Sequence, residues 1–223
     1  MALEETVPET IEAYATAIGP DTDDLIDEMG AQAESNGFPY VGPAVGGWLA
    51  MLARFSDAER VFEFGSGFGY SAYWFARELP AGGDVVLTEV DEDELDDARD
   101  YFERADVDPT PHFELGDAIE TIDEYDGPFD VVLIDNEKHR YAEAFESVRD
   151  KVAPGGIVAA DNATAGGSID AEALRAHFEG EDVDMDSLSA GIAEYVETVR
   201  ADPEFETVLL PLGEGVAVSQ REY

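Results

Sequence analysis

No stretch limits the folding of this chain more than Val61 to Ala72. The apolar run Val61-Phe62-Glu63-Phe64 breaks into Gly65-Ser66-Gly67-Phe68-Gly69, and a helix-like segment follows from Tyr70 to Leu79. Strand, glycine loop and helix in that order bring backbone N–H groups and a helix N-terminus to one point. The glycines let the backbone approach a ligand closely. α/β proteins hold nucleotide-like cofactors in this way, and what ends the later strands decides which cofactor is meant.

From Arg60 onward the pattern alternates. Apolar runs of strand length occur at 61–64, 84–88, 112–115, 130–134 and 156–160, with helical segments at 70–79, 92–105, 117–123 and 138–152. Apolar runs joined by crossover helices predict a parallel sheet with right-handed connections. Two more helices, about 169–179 and 186–201, lead into strands at 207–210 and 216–219, which the link Pro211 to Gly215 lets pair as a hairpin. Segments 164–168 and 180–187 read as loops. Three helices precede the alternation. Ile11, Tyr14, Ala15 and Ile18 share a face of the first, which Gly19-Pro20 ends. Asp21 or Thr22 is expected to cap the second, whose apolar face is Leu25, Ile26 and Met29. Pro43 lies near the start of the third, which runs to about Arg54. These helices are expected to cover the sheet edge or the mouth of a site.

The chain carries 53 acidic and 12 basic residues, a formal charge of −41, and only two lysines, Lys138 and Lys151. The acids are spread rather than blocked, which describes a solvated acidic surface and suits a high-salt cytoplasm. An ordinary acidic protein is the plainer alternative. Such a surface opposes nucleic acid, which needs Lys/Arg to neutralise phosphates, and anionic membranes. With no cysteine there is no disulfide, thiol nucleophile or thiolate metal site. The opening MALEETVPET lacks the basic and apolar regions of a signal peptide, and no apolar run approaches membrane-spanning length. The expectation is a soluble cytoplasmic protein.

In open parallel sheets ligands bind beyond the carboxyl ends of the strands. The second strand ends at Glu89, 24 residues after Gly65, where an acid can accept both hydroxyls of a ribose. The third ends at Gly116-Asp117-Ala118, a plausible adenine-side loop. The fourth ends at Asp135 and the fifth at Asp161-Asn162. Each has a plain reading: Glu89 as a helix-start acid, Asp135 or Asp161-Asn162 as turn or capping residues. Together, Asp135, Asp161 and Asn162 offer three hard oxygen ligands on strands expected to be neighbours, which suits Mg²⁺ or a similar cation. The absence of Cys and His from the set opposes structural zinc. Lys138, three residues after Asp135, is either a solvated helix residue or a general base whose pKa a nearby cation lowers. His139 adjoins the site; His112 and His177 read as structural or exposed.

With these motifs in place the chain resembles the class I S-adenosylmethionine-dependent methyltransferases. Within them it is similar to the cation-dependent O-methyltransferases, which include the catechol and caffeoyl-CoA O-methyltransferases. The likeness spans about residues 37–221 and rests on Val41-Gly42-Pro43, EFGSGFGYSA (63–72), TEVD (88–91), GDA (116–118), LIDNEKHRY (133–141), ADN (160–162) and LPLGEG (210–215). The resemblance implies a Rossmann-like, doubly wound α/β fold: a mostly parallel seven-stranded sheet with a C-terminal antiparallel hairpin and N-terminal helices. It implies one methyltransferase domain, with 1–55 as a helical cap and 56–223 as the cofactor-binding core. It also implies that Val41, Glu63, Gly65, Gly67, Gly69 and Ser71 line the methionine end of S-adenosylmethionine. Glu89 would hold the ribose, Asp117 and Ala118 would lie by the adenine, and Asp135 would also border the cofactor. Asp135, Asp161 and Asn162 would bind the divalent cation, with Lys138 as the base. The acceptor implied is a small-molecule hydroxyl, catechol-like or a vicinal diol, and the N-terminal helices would serve a homodimer. Three departures stand out. Asn136 and Glu137 replace the bulky rings of catechol enzymes, Val208 replaces their substrate-holding acid, and 164–204 is longer.

Three other readings share part of the pattern. A nicotinamide dehydrogenase would want a further glycine where Tyr70 stands, and it gives Asp161-Asn162 no role. A non-catalytic S-adenosylmethionine-binding regulator or scaffold has no use for Lys138 and the metal ligands. A related methyltransferase acting on nitrogen or small metabolites is the third.

Overall fold

The computed structural model describes residues 8–165 and 169–222. Three helices come first: α1 (Glu9–Ile18), α2 (Asp24–Asn36) and α3 (Gly42–Phe55). Strands and helices then alternate as β1 (Arg60–Phe64), α4 (Tyr70–Ala76), β2 (Asp84–Glu89), α5 (Glu92–Arg104), β3 (Thr110–Leu115) and α6 (Ala118–Thr121). β4 (Phe129–Ile134), α7 (Tyr141–Val148) and β5 (Val152–Ala160) complete the alternation. α8 (Ala171–Phe178), α9 (Ser187–Ala201), β6 (Phe205–Leu210) and β7 (Val216–Arg221) follow.

The seven strands form one sheet in the order β3-β2-β1-β4-β5-β7-β6. β1 to β5 pair in parallel, and β7 runs antiparallel to both β5 and β6. The chain moves outward from β1 to β2 and β3, then returns to lay β4 on the other side of β1. That reversal opens a crevice at the carboxyl ends of β1 and β4.

Both faces of the sheet are covered, which is why the strands read as continuous apolar runs. Val61, Val85, Leu87, Val131 and Leu133 pack under α2 to α5. Phe62, Phe64, Val86, Val132, Ile134 and Val158 pack under α6, α7 and α9. The alternation along β1 also buries Glu63 completely.

The described strands and helices fall on the predicted ones, with informative differences. The segment 138–152 is not one helix: tight 3₁₀ turns at Lys138–Arg140 and Arg149–Lys151 flank α7. Gly191 of α9 explains the first, because a Cβ there would stand 2.5 Å from the Lys138 carbonyl oxygen. The helix lies directly on that backbone and holds it in a tighter turn than periodicity predicts. Asp23, not Asp21 or Thr22, caps α2, its carboxylate accepting from the backbone N–H of Leu25 and Ile26 at 3.1 and 2.9 Å. Of the N-terminal helices, α2 and α3 lie over α4 on one sheet face. Their connection does reach the glycine loop, with the Phe38 ring against Phe68 and Tyr40 against Tyr70, centroids 5.3 and 4.9 Å apart. On α1, Ile11, Tyr14 and Ile18 stay exposed. Of the predicted loop at 164–168, residues 166–168 lie outside the described residues. Among the described residues no helix is long and apolar enough to cross a membrane.

Candidate active site

A cavity of about 330 Å³ occupies the crevice. Gly65, Glu89, Asp117, Ala118 and Asp135 line it, as do Asn136, Glu137 and Arg140. Gly65 takes φ 83° where β1 and β4 exit side by side, and a Cβ there would stand 2.7 Å from the Asp135 carbonyl oxygen. Only glycine fits that approach.

Glu89 closes the loop from the other side. One carboxylate oxygen accepts from the Gly67 N–H at 2.9 Å, and the other from the N–H groups of Val90 and Asp91 at 2.7 and 3.1 Å. The glycine loop and the end of β2 are thereby one rigid unit. Asp117 caps α6 through the Ile119 N–H at 2.9 Å and pairs with Arg140 at 2.7 Å. Burial alone would raise its pKa, but the Arg140 and backbone hydrogen bonds win and hold it below the usual value.

Val41, Glu63 and Ser71 lie outside the cavity wall. Val41 precedes α3 beside Gly213 of the β6–β7 turn. Glu63 has no well-formed hydrogen bond to either oxygen. Burial pushes its pKa up to about 8; the Ser71 hydroxyl opposes this, and the nearby Asp135 charge adds to it. Gly69 faces the core, where a Cβ would touch Leu87, Ala98 and Phe102.

The other end of the crevice gathers acids. β4 and β5 are neighbours with Ile134 opposite Ala160, so Asp135 and Asp161 leave the sheet side by side. Lys138 Nζ donates to Asp135 Oδ1 at 3.0 Å and also to Asn162 Oδ1. The buried Tyr141 hydroxyl lies 3.3 Å from both Asp135 Oδ1 and the Asp161 carbonyl oxygen and can donate its one proton to either. Asp161 is 5 % exposed, and its Oδ1 has no partner among the described residues. Burial, reinforced by the Asp135 charge, pushes its pKa up to about 7. Burial likewise raises Asp135 against the pull of Lys138 and Tyr141.

Neither acid has a capping duty: the turn at 138–140 starts after Glu137, and α8 is capped by Asp170. Among the described residues no three His, Cys, Asp or Glu side chains are arranged to hold a metal. The set here is two carboxylates and a carboxamide. Its chemistry fits a hard cation, and the orphaned Asp161 oxygen is a buried acceptor with nothing to accept. His112 and His177 pair with Asp84 and Glu197 at 3.0 and 2.8 Å, and His139 is exposed.

The O-methyltransferase family model matches residues 24–222. The chain belongs to the O-methyltransferase family. Its enzyme class is therefore a methyltransferase acting on oxygen. A catechol O-methyltransferase of Niastella koreensis is 31% identical over 168 residues, which cover 72% of this chain and 76% of that one. A caffeoyl-CoA O-methyltransferase of Petroselinum crispum is 27% identical over 186 residues, 79% of this chain and 74% of its own. Among solved structures, an O-methyltransferase from Bacillus cereus in complex with SAH superimposes with TM-score 0.80 at 24% identity, covering 96% of this chain and 97% of that one. TomG of Streptomyces achromogenes, in complex with SAM, gives 0.80 at 21% identity, covering 99% and 100%. At such identities the superpositions show the fold.

In this O-methyltransferase the sequence reading passed over Arg140, Tyr141, Gly191 and Glu214. Arg140 and Tyr141 stand in the motif LIDNEKHRY and Glu214 in LPLGEG, each without a role there. The acid that reaches the site from the final hairpin is Glu214, whose Oε2 accepts from Asn162 Nδ2. Val208, the residue matched in sequence to the catechol enzymes' substrate-holding acid, is exposed on β6.

Proposed function

We propose that this protein is an S-adenosylmethionine-dependent, divalent-cation-dependent O-methyltransferase that methylates one hydroxyl of a small catechol-like or vicinal-diol acceptor. The observation that carries the reading is the convergence of Asp135, Lys138, Asp161 and Asn162 beside the cavity. S-adenosylmethionine would supply the electrophilic methyl, and the cation, Mg²⁺ in the first instance, the charge that lowers the acceptor hydroxyl pKa.

The chain's own residues do the rest. Glu89, pinned by three backbone N–H groups, would receive the ribose hydroxyls, and Asp117 with Ala118 would border the adenine. Val41, Glu63, Gly65, Gly67, Gly69 and Ser71 would surround the methionine end. Asp135, Asp161 and Asn162 would hold the cation, and Lys138 Nζ would take the hydroxyl proton. Holding both reactants in one crevice supplies most of the rate. In this reading residues 56–223 are the cofactor-binding core and 1–55 a cap. The exposed Ile11, Tyr14 and Ile18 would meet a second copy. The charge of −41 and the two lysines favour a salt-rich cytoplasm.

Charge also bears on the acceptor. Eleven of the twelve lysines and arginines pair with carboxylates, and the twelfth, Arg200, stacks on Phe178. Few cations remain to bind the phosphates of a CoA thioester, which favours a small uncharged acceptor. The test is methylation of catechol, a monohydroxy control and caffeoyl-CoA in molar KCl, with and without EDTA. Catechol is expected to be methylated only when Mg²⁺ is present. Turnover surviving EDTA sinks the cation part. Tight cofactor binding without methylation of any acceptor favours the non-catalytic reading.

A further inference from the structure

We infer that Glu214 is a positioning residue: it turns the Asn162 carboxamide so that Oδ1 faces the centre of the site. The inference rests on the cation reading above. A carboxamide has two nearly isosteric ends, one a donor and one an acceptor. Only the oxygen end can serve a cation, so something must select it.

Asn162 takes φ 54°, a left-handed conformation that asparagine tolerates better than most residues. That backbone places its side chain between two partners of opposite kind. Oδ1 accepts from Lys138 Nζ, and Nδ2 donates to Glu214 Oε2. Lys138 favours the same orientation, but its ammonium would share Oδ1 with any cation that binds there. Glu214 holds the far end of the amide and does not compete for that oxygen.

Glu214 is itself fixed in place. Its carbonyl accepts from the N–H groups of Thr164 and Ala165, both at 3.0 Å, and from Thr164 Oγ1 at 2.9 Å. The Ala163 N–H donates to the Gly215 carbonyl at 2.7 Å. At Gly215 a Cβ would collide with the Thr164 side chain, so the β6–β7 turn lies flat on the segment after β5. Thus the chain brings an acid from 52 residues away onto Asn162 and locks it there by backbone contacts.

The test measures Mn²⁺ binding by calorimetry in the wild-type protein, E214A and E214Q, with SAH affinity measured separately without metal. E214A is expected to bind Mn²⁺ about 10–100-fold more weakly, the usual cost of losing a group that orients a ligand, with SAH affinity unchanged. E214Q keeps an oxygen that can accept from Nδ2 and is expected to recover most of the affinity. In the metal-free protein, the Asn162 side-chain amide signals should move toward free-amide positions in E214A but not in E214Q. Undiminished Mn²⁺ binding by E214A, or unmoved amide signals, overturns this inference alone. E214Q as weak as E214A shows that the carboxylate charge itself is required, and overturns positioning. Failure of the wild-type protein to bind Mn²⁺ overturns the cation reading and this inference with it.

Discussion

Glu89 and Asp161 both stand at the ends of parallel strands, yet their surroundings are opposite. Glu89 spends both oxygens on backbone N–H groups, and Asp117 near it is held below its usual pKa by Arg140 and its cap. That end of the crevice is complete before any ligand arrives. At the other end Asp161 has a buried oxygen with no partner among the described residues, and burial raises both it and Asp135. Lys138 pairs with Asp135 and its charge opposes the rise at Asp161, while the Glu214 charge adds to the rise at both acids. A finished electrostatic arrangement pre-organises binding, whereas an unfinished one lacks positive charge. In the proposed function the first end holds the cofactor in a fixed pose and the second is completed by a cation.

The largest effect should come from removing the unfinished acid. Asp161→Asn is predicted to lower cation-dependent turnover by about 10²–10³-fold, the scale of losing a main electrostatic element. The same change should raise the Tm of the metal-free protein, because an unpaired buried acid is replaced by a neutral isostere. Activity and stability moving together would break the comparison. Next is Lys138→Met, expected to cost about 10²-fold or more in kcat, the range of a general base. Mn²⁺ affinity should hold or improve, since the ammonium no longer shares the Asp135 and Asn162 oxygens. An unchanged rate across pH would remove Lys138 as base.

The two ends also differed in how far the sequence revealed them. Strand ends were readable because runs such as Val131 to Ile134 are too short for helices and alternate with crossover helices, which places the residue after each run at the crevice. That logic reached Glu89, Asp117, Asp135 and Asp161-Asn162. It could not reach contacts made across the fold. Arg140 meets Asp117 across 23 residues and Glu214 meets Asn162 across 52. Gly191 reads as a weak spot in a helix until α9 is seen resting on the Lys138 backbone. Periodicity marked an apolar face on α1 but could not say that Ile11, Tyr14 and Ile18 stay exposed on it. It also carried a helix through 138–140, where packing by α9 holds a tighter turn.

A smaller effect sharpens the finished end. Glu89→Gln should weaken SAH binding by about 10–100-fold, because a carboxamide accepts at one end only while Glu89 accepts at both. Mn²⁺ affinity should stay as in the wild-type protein. Loss of both would mean that the two ends of the crevice are one unit.

The smallest effect concerns Glu63, an unsatisfied acid on the side assigned to the donor. Its pKa is raised from 4.5 to about 8 by burial. A raised folded-state value means that its stabilising contribution is complete below the ordinary carboxylate range and is lost as pH rises through about 8. Glu63→Gln removes that titration without changing the shape. In cofactor-free protein the Tm of the wild type should therefore fall relative to E63Q as pH climbs from about 4.5 to 8, by about 2–4 °C per kcal/mol lost. Pairing with the positive methionine end of the cofactor would favour the ionised form and shrink the gap between the two proteins at high pH. Parallel curves without cofactor would show that Glu63 is not the proton-holding group. A gap that the cofactor leaves untouched would place Glu63 away from the methionine end, and the contrast between a finished and an unfinished end would then stand without exception.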